Sequence, residues 1–294
     1  MNSTHMKVGA VVPSVNRPDA LARVVRALRH QTQPLDQLVI SVPDLRGIPE
    51  EVQHDAGVQL VVGSRGASAQ RNAGVAALRP EIDVVVFLDD DSVPREDYVE
   101  AVAQAFAQAP DVVALTGRMA RDGAAEHREL SEEELTAALV DSHGEDLVEV
   151  RPSRELYGCN MAVRSGAARS NPFDEQLPAY SWLEDLDLAR RLERQGRVVH
   201  DPRCVVAHQG NASGGREQHL RFGYSCVANP VYLRRKGSLQ WRDVIRLVGR
   251  PTVGNLRGLF GQDAVTRRAR LRGELLALRD LVGRRLSPVR ILEI

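Results

Sequence analysis

Short runs rich in β-branched residues alternate with segments of helical periodicity along most of this chain, and that alternation restricts the fold more than any other feature. Apolar runs at residues 8–12, 37–42, 58–62 and 84–88 are bounded by turn residues, as buried strands are. Between them, Leu21, Val24, Val25 and Leu28 recur on one helical face, with Asp19 placed to cap that helix, and a small-residue helix is expected over 67–78. Further along, a helix is expected over 95–108 and strands over 112–119 and 157–163, with the acidic stretch 131–149 as loop containing some helix. A helix over 183–195, stopped by Gly196, precedes short extended pieces at 198–199 and 204–207. Strands alternating with helices predict an α/β fold with a mainly parallel central sheet flanked by helices.

The fourth run ends on three consecutive carboxylates, Asp89, Asp90 and Asp91. Their mutual repulsion is relieved by a divalent cation, by a bound polyol or by full hydration, and aspartates also end strands simply as turn formers. An open α/β sheet binds ligands beyond the carboxyl ends of its strands. Pro13, Ser14, Val15 and Arg17 follow the first strand, Asp44 the second, residues 66–72 the third and the aspartates the fourth. Each alone reads equally as a turn or cap; together they outline one rim. Arg71, in an alanine-rich helix, can hold its guanidinium toward that rim, where a phosphate or a nucleobase carbonyl would suit it.

A second cluster lies far down the sequence. Glu184 and Asp185 open a helix, where the dipole favours carboxylates, although acidity at helix starts is common. Tyr180 and Trp182 stand just before them, and aromatic rings beside carboxylates suit a polyol such as a sugar. His208 follows the apolar piece at 204–207; it reads as a structural histidine or, if the aspartates bind a cation, as a ligand from across the site. The glycine-rich stretch 210–215 would then close over a bound substrate.

With 43% hydrophobic and 27% charged residues, the composition is that of a globular protein, and a length of 294 suits one large α/β domain with an appendage. The formal net charge of zero gives no global field for nucleic acid. Cys159, Cys204 and Cys226 lack metal-ligand spacing and fit reduced thiols in a cytoplasmic protein. No apolar span approaches the ~20 residues of a membrane helix, and no secretory signal is visible. Residues 1–6 read as a leader remnant, 7–213 as the catalytic domain and 214–294 as a helical, arginine-rich extension. In that extension Trp241, Val244, Ile245 and Val248 share one helix face and Leu271, Leu275, Leu278 and Val282 another. Such stripes pack on their own domain, on a second copy in a homodimer, or on a bilayer surface.

The motifs resemble those of a known family. The string Gly66-Ala67-Ser68-Ala69-Gln70-Arg71-Asn72-Ala73-Gly74, the strand end Phe87-Leu88-Asp89-Asp90-Asp91-Ser92-Val93-Pro94, the segment Gly158-Cys159-Asn160-Met161-Ala162-Val163-Arg164 and the helix start Glu184-Asp185-Leu186-Asp187-Leu188 occur in the order typical of family 2 glycosyltransferases with the GT-A fold. Asn16-Arg17-Pro18 fits as well, and the resemblance covers roughly residues 8–208. It implies inverting transfer of a sugar from a nucleotide-diphosphate donor to an acceptor hydroxyl, assisted by Mn2+ or Mg2+. Asp91, with Asp89 and His208, would hold the cation, and Asp90 would face the ribose or donor sugar. Pro13, Ser14, Val15 and Arg17 would line the nucleotide, with Asp44 and Arg71 at the base and neighbouring groups. Asp185 would be the catalytic base, with Glu184, Tyr180 and Trp182 on the acceptor.

Two departures matter. Ser41-Val42-Pro43-Asp44 replaces the family's usual acidic pair followed by Gly-Ser, and Gln218-His219-Leu220-Arg221-Phe222 lacks the tryptophan of processive members. A single-addition enzyme follows, with Arg216 or Arg221 reaching the diphosphate after loop closure. The expected acceptor is a glycan or a lipid-linked glycan, reached from the cytoplasm with peripheral contact at the inner membrane face. Two rivals stand beside this reading. A nucleotidyltransferase would carry a glycine-rich, lysine-containing loop after the first strand, which residues 13–18 lack. A non-catalytic sugar-binding scaffold would have no need of the full acidic set.

Overall fold

The computed structural model describes residues 6–143, 149–210, 218–261 and 263–294. In chain order the elements are β1 (Val8–Pro13), α1 (Pro18–Arg29), β2 (Gln37–Val42), α2 (Glu50–Gln53), β3 (Val58–Val62), α3 (Ala67–Ala77), β4 (Val84–Phe87), β5 (Ser92–Pro94), α4 (Tyr98–Gln108) and β6 (Val112–Asp122). They continue as α5 (Gly123–Glu126), α6 (Glu132–Asp141), β7 (Arg151–Pro152), β8 (Met161–Arg164), α7 (Ser165–Ser170), α8 (Glu184–Leu192) and β9 (Arg197–His208). Then come α9 (His219–Lys236), α10 (Trp241–Arg257), α11 (Ala264–Val282) and a 3-10 helix (Pro288–Leu292).

The chain divides into two compact units: Met1–Arg65, Ala69–Phe173 and Leu188–Asn211 form the first, and Gly66–Ser68, Asp174–Asp187 and Ala212–Ile294 the second. The expected boundary at residue 214 lies outside the described residues, as do Arg216 and most of the stretch 210–215.

The first unit holds one sheet in the order β3-β2-β1-β4-β8-β6-β9-β5, with β7 paired to β9. The parallel part expected from strand–helix alternation is β3-β2-β1-β4. Beyond it the sheet is mixed: β8 runs antiparallel to both β4 and β6, β6 and β9 are parallel, and β5 is antiparallel to β9. Successive side chains of a strand point to opposite faces. Val84, Val86 and Leu88 therefore enter one apolar cluster with Leu21, Val24 and Phe106, while Val85 and Phe87 enter the other with Val11, Leu188 and Leu192. Burial on both faces is why the run is unbroken rather than alternating. A Cβ on Gly74 would lie 2.3 Å from Val11, so glycine there lets α3 close on β1.

Two local expectations are corrected. Asp19 does not cap α1: Arg17 is the N-cap residue and Pro18 takes the first turn, where its missing N–H costs nothing. Asp19 lies inside that turn, favoured there by the helix dipole. The pieces at 198–199 and 204–207 are one strand, β9, because its pairing with β6 shifts register between Gly117↔Asp201 and Arg118↔Val205 and absorbs Pro202 in the irregularity.

In the second unit, Leu177, Leu186, Tyr224, Val227 and Ala277 form the centre of a separate core. α9 and α11 cross at two glycines: a Cβ on Gly223 would lie 2.0 Å from the Arg270 carbonyl, and one on Gly273 would lie 2.0 Å from the Leu220 carbonyl. Asp280 is buried in this core and accepts from the Tyr224 hydroxyl at 3.1 Å. The expected stripes divide. Val244 is buried and Val248 half-buried, while Trp241, Ile245, Leu275, Leu278 and Val282 are exposed. Among the described residues, no helix is long and apolar enough to cross a membrane.

Candidate active site

The three neighbouring aspartates beyond β4 diverge to three different sets of partners. Asp89 accepts from Arg71 Nη2 at 2.7 Å. Asp90 is buried and accepts from Ser14 Oγ at 2.7 Å and from Arg17 Nη1 at 2.8 Å. Asp91, also buried, lies 3.3 Å from His208 Nε2 and 3.6 Å from Arg17 Nη1. Burial pushes the Asp90 carboxyl up to about 6, against the opposing pull of Arg17. Burial also disfavours the Arg17 cation, yet Asp90 and Asp91 outweigh it and raise Arg17 above its ordinary value.

His208 reaches this group because β5 turns back beside β9, setting Ser92 opposite His208, while β6 sets Asp122 opposite His208 on the other side. His208 Nδ1 lies 2.8 Å from Asp122 Oδ1, and Asp122 Oδ2 accepts from the Tyr157 hydroxyl at 2.8 Å. Burial raises Asp122, but hydrogen bonds from His208 and Tyr157 outweigh it and hold the carboxyl at about 2. Burial lowers His208, but its bonds to Asp122 and Asp91 push it up to about 10. The imidazole therefore carries a positive charge amid these carboxylates.

Asp89, Asp91 and His208 each offer one ligand atom, and these atoms lie within 4.8 Å of one another. Two carboxylate oxygens and one imidazole nitrogen suit Mn2+ or Mg2+. The other imidazole nitrogen is already held by a carboxylate, the usual support of a metal-binding histidine. The donor set fits a divalent cation.

Buried polar side chains fix the rest of the rim. Gln70 Nε2 donates to the Ser14 carbonyl at 3.0 Å and to the Ser41 carbonyl at 2.7 Å, tying the ends of β1 and β2 together. This leaves Pro13 and Val15 half-buried on either side of Ser14. Arg71 is 2% exposed; besides Asp89 it serves the Gly158 carbonyl at 3.1 Å and lies 5.5 Å from the Phe173 ring centre. It thus orients Asp89. Asn160 joins several elements: Oδ1 accepts from the Tyr98 hydroxyl at 3.0 Å, and Nδ2 donates to the Arg118 and Cys204 carbonyls, each at 3.2 Å. Asp44 lies at the surface beside Arg46, whose bonds hold its carboxyl below the usual range.

The remaining expected site residues belong to the second unit. The Tyr180 and Trp182 rings lie 6.4 and 5.8 Å from Phe222, over which the Arg270 guanidinium stands at 5.0 Å. Ala179, Ser181 and Leu183 alternate through this segment with φ of 58°, 52° and 76°. Such left-handed backbone is uncommon outside glycine and unusual for a residue as bulky as leucine. Ser181 Oγ helps hold it by donating to the Leu177 carbonyl at 2.7 Å and accepting from Ser68 N at 3.2 Å. Glu184 is buried, and Asp185 Oδ1 accepts from Leu186 N at 2.7 Å at the start of α8. Arg221 donates to the Ile294 carbonyl at 2.6 Å.

Asp122 and Tyr157 in the first unit, and Phe222 and Arg270 in the second, had no site role in the sequence reading. Gln70 and Asn160 stand inside the recognised motifs, so the motifs themselves were their signal.

Residues 10–170 match the family described as Glycosyl transferase family 2. A pre-mycofactocin glycosyltransferase of Mycobacterium tuberculosis is 31% identical over 216 residues, which are 70% of this chain and 43% of that protein. A glucosyl-dolichyl phosphate glucuronosyltransferase of Haloferax volcanii is 31% identical over 170 residues, 54% of this chain and 53% of that one. The chain spans about half the length of the curated relatives it matches. Among solved structures, a mannosyltransferase from Pyrobaculum calidifontis in complex with GDP-Man and Mn2+ has a TM-score of 0.58 at 15% identity, covering 99% of this chain and 86% of the other. S. aureus TarS 1-349 has a TM-score of 0.56 at 12% identity, covering 97% of this chain and 89% of the other. The fold is thus that of the GT-A glycosyltransferases, and with more than half of its length matched, the chain belongs to glycosyl transferase family 2.

Proposed function

We propose that the chain is an inverting glycosyltransferase, moving a sugar from a nucleotide-diphosphate donor to an acceptor hydroxyl by a single displacement. The observation that carries this reading is the meeting of Asp89, Asp91 and His208 within 4.8 Å at one rim of the sheet. These three residues would hold Mn2+ or Mg2+; GDP-Man and Mn2+ occupy the similar mannosyltransferase. Such a cation, when bound, stabilises the charge that develops on a departing nucleoside diphosphate. Arg17 offsets the charge of Asp90 and Asp91, while Ser14 and Arg71 fix the orientations of Asp90 and Asp89. Pro13, Ser14, Val15 and Arg17 line the nucleotide, with Asp44 toward the base.

Asp185 is the base that takes the acceptor proton, a contribution of typically ~10²–10⁴-fold. Glu184, Tyr180 and Trp182 bind the acceptor, a glycan or lipid-linked glycan in polysaccharide or glycoconjugate assembly. Residues 7–213 form the catalytic domain, and 214–294 the helical extension that brings the enzyme, as a monomer or homodimer, to the inner membrane face from the cytoplasm.

The test uses the full chain with candidate nucleotide sugars and Mn2+. Inversion at the anomeric carbon, read by proton NMR of the product, is the expected outcome, and Asp185→Asn should abolish transfer while thermal shifts still report donor binding. Retention of configuration, or full activity in Asp185→Asn, would refute the mechanism.

A further inference from the structure

The helical extension displays a surface that the sugar-transfer chemistry does not use. On α10, Trp241, Ile245 and Leu256 are exposed, Ile245 by 70%, and Phe260 just past the helix end is 91% exposed. Trp241, Ile245 and Leu256 recur at i, i+4 and i+15, which puts them on one stripe of an α-helix. Each is followed at once by an arginine: Arg242, Arg246 and Arg257, with Arg250 continuing the row. All four arginines are exposed, so a cationic stripe runs beside the apolar one. The helix is held to the protein through buried Val244 and Asn255, which flank the apolar stripe on the side away from the arginines. Along α11, Arg272, Leu275, Arg279 and Val282 interleave in the same way, and all are exposed.

The carboxylates of these two helices are turned elsewhere. Glu274 accepts from Asn255 in the interior, Asp280 is buried, and Asp243 caps the start of α10. A second copy docking through the same stripe would set arginines against arginines with no carboxylate between them, which is repulsive. An anionic bilayer satisfies both stripes at once: indole and aliphatic groups enter the headgroup boundary while guanidinium groups meet lipid phosphates.

We propose that the exposed stripe of α10, continued by Phe260, docks on an anionic membrane surface. This deepens the functional reading above, on which the lipid-linked acceptor rests, by assigning the contact to one helix face and one class of lipid. The docking itself requires neither donor nor cation.

The test is co-sedimentation of the full chain with phosphatidylcholine vesicles, with and without phosphatidylglycerol, in the absence of nucleotide sugar. Binding only to the phosphatidylglycerol vesicles is expected, with a blue shift of tryptophan emission as Trp241 leaves water. The surface variant Ile245→Ser/Leu256→Ser/Phe260→Ser should lose it. Arg242→Gln/Arg246→Gln/Arg250→Gln should weaken it by about fivefold per arginine. Circular dichroism melting checks that both variants keep the fold. No sedimentation, equal binding to neutral vesicles, or binding unchanged in either variant overturns the proposal. A solution dimer dissociated by the apolar variant, without vesicle binding, assigns the face to a second copy instead. Nucleoside diphosphate release measured without vesicles reports separately on sugar transfer, so either reading can fail alone.

Discussion

His208 is bound from behind by Asp122, whose Oδ1 lies 2.8 Å from Nδ1, while Nε2 faces Asp91 at 3.3 Å. The two residues are neighbours on adjacent parallel strands, so the contact is built into the register of β6 and β9. A carboxylate on one ring nitrogen fixes the orientation of the other, and Tyr157 fixes the carboxylate in turn.

Asp122→Asn should therefore weaken Mn2+ binding by roughly 10–100-fold, the cost typical of losing such an outer partner. Tyr157→Phe should show a smaller loss in the same direction. Isothermal titration with Mn2+ measures both, and wild-type affinity in Asp122→Asn would show that the contact is incidental.

Protonation of His208 gives a signed pH dependence. Its value rises from 6.5 to about 10 in the fold, so the cation-free ion pair contributes its full stability below 6.5 and loses it as pH rises through 10. Asp122, lowered from 3.8 to about 2, contributes above 3.8 and fails as pH falls through 2. A cation must displace the His208 proton, so Mn2+ affinity should climb about tenfold per pH unit through neutral pH and level off only near 10, with one proton released below that. Titration in buffers of different ionisation enthalpy counts that proton; a pH-independent affinity is the opposing result.

Arg71→Leu should destabilise the fold by about 1–3 kcal/mol, because Asp89 and the Gly158 carbonyl both lose their donor in a largely buried setting. Arg71→Lys should recover little, since a point charge cannot reproduce the planar group that also lies over Phe173. Urea unfolding measures both, and a wild-type midpoint in Arg71→Leu counts against the positioning role.

The strands Gln37–Val42 and Val58–Val62 were legible from the sequence because β-branched runs between turn residues have few other uses. Asp89, Asp91 and His208 were legible as a possible cation set because the family motifs flag them. Asp122 was not: it ends β6, and its approach to His208 depends on the three register shifts between β6 and β9, which no local pattern encodes. The strand expected over 157–163 begins only at Met161, because Tyr157 and Asn160 close a tight turn on themselves through a single bridge. The exposure of Trp241 and Ile245 was not legible: helical spacing put them on one face with Val244 and Val248, and periodicity marks a face without saying which part of it the neighbours cover.

Gly223→Ala or Gly273→Ala should each cost about 1–3 kcal/mol, because the added methyl meets backbone of the partner helix at 2.0 Å and the α9–α11 crossing must open. Thermal unfolding of the single variants checks this, and unchanged melting would mean that the crossing yields freely.

On this reading Asp89, Asp91 and His208 form the cation site of a sugar-transfer enzyme. The most direct test is product analysis of the full chain incubated with nucleotide sugars, with Mn2+ or with a chelator. The expected result is release of nucleoside diphosphate that requires the cation and is lost in Asp91→Ala. Release of pyrophosphate, or nucleoside diphosphate formed undiminished by Asp91→Ala, would contradict it.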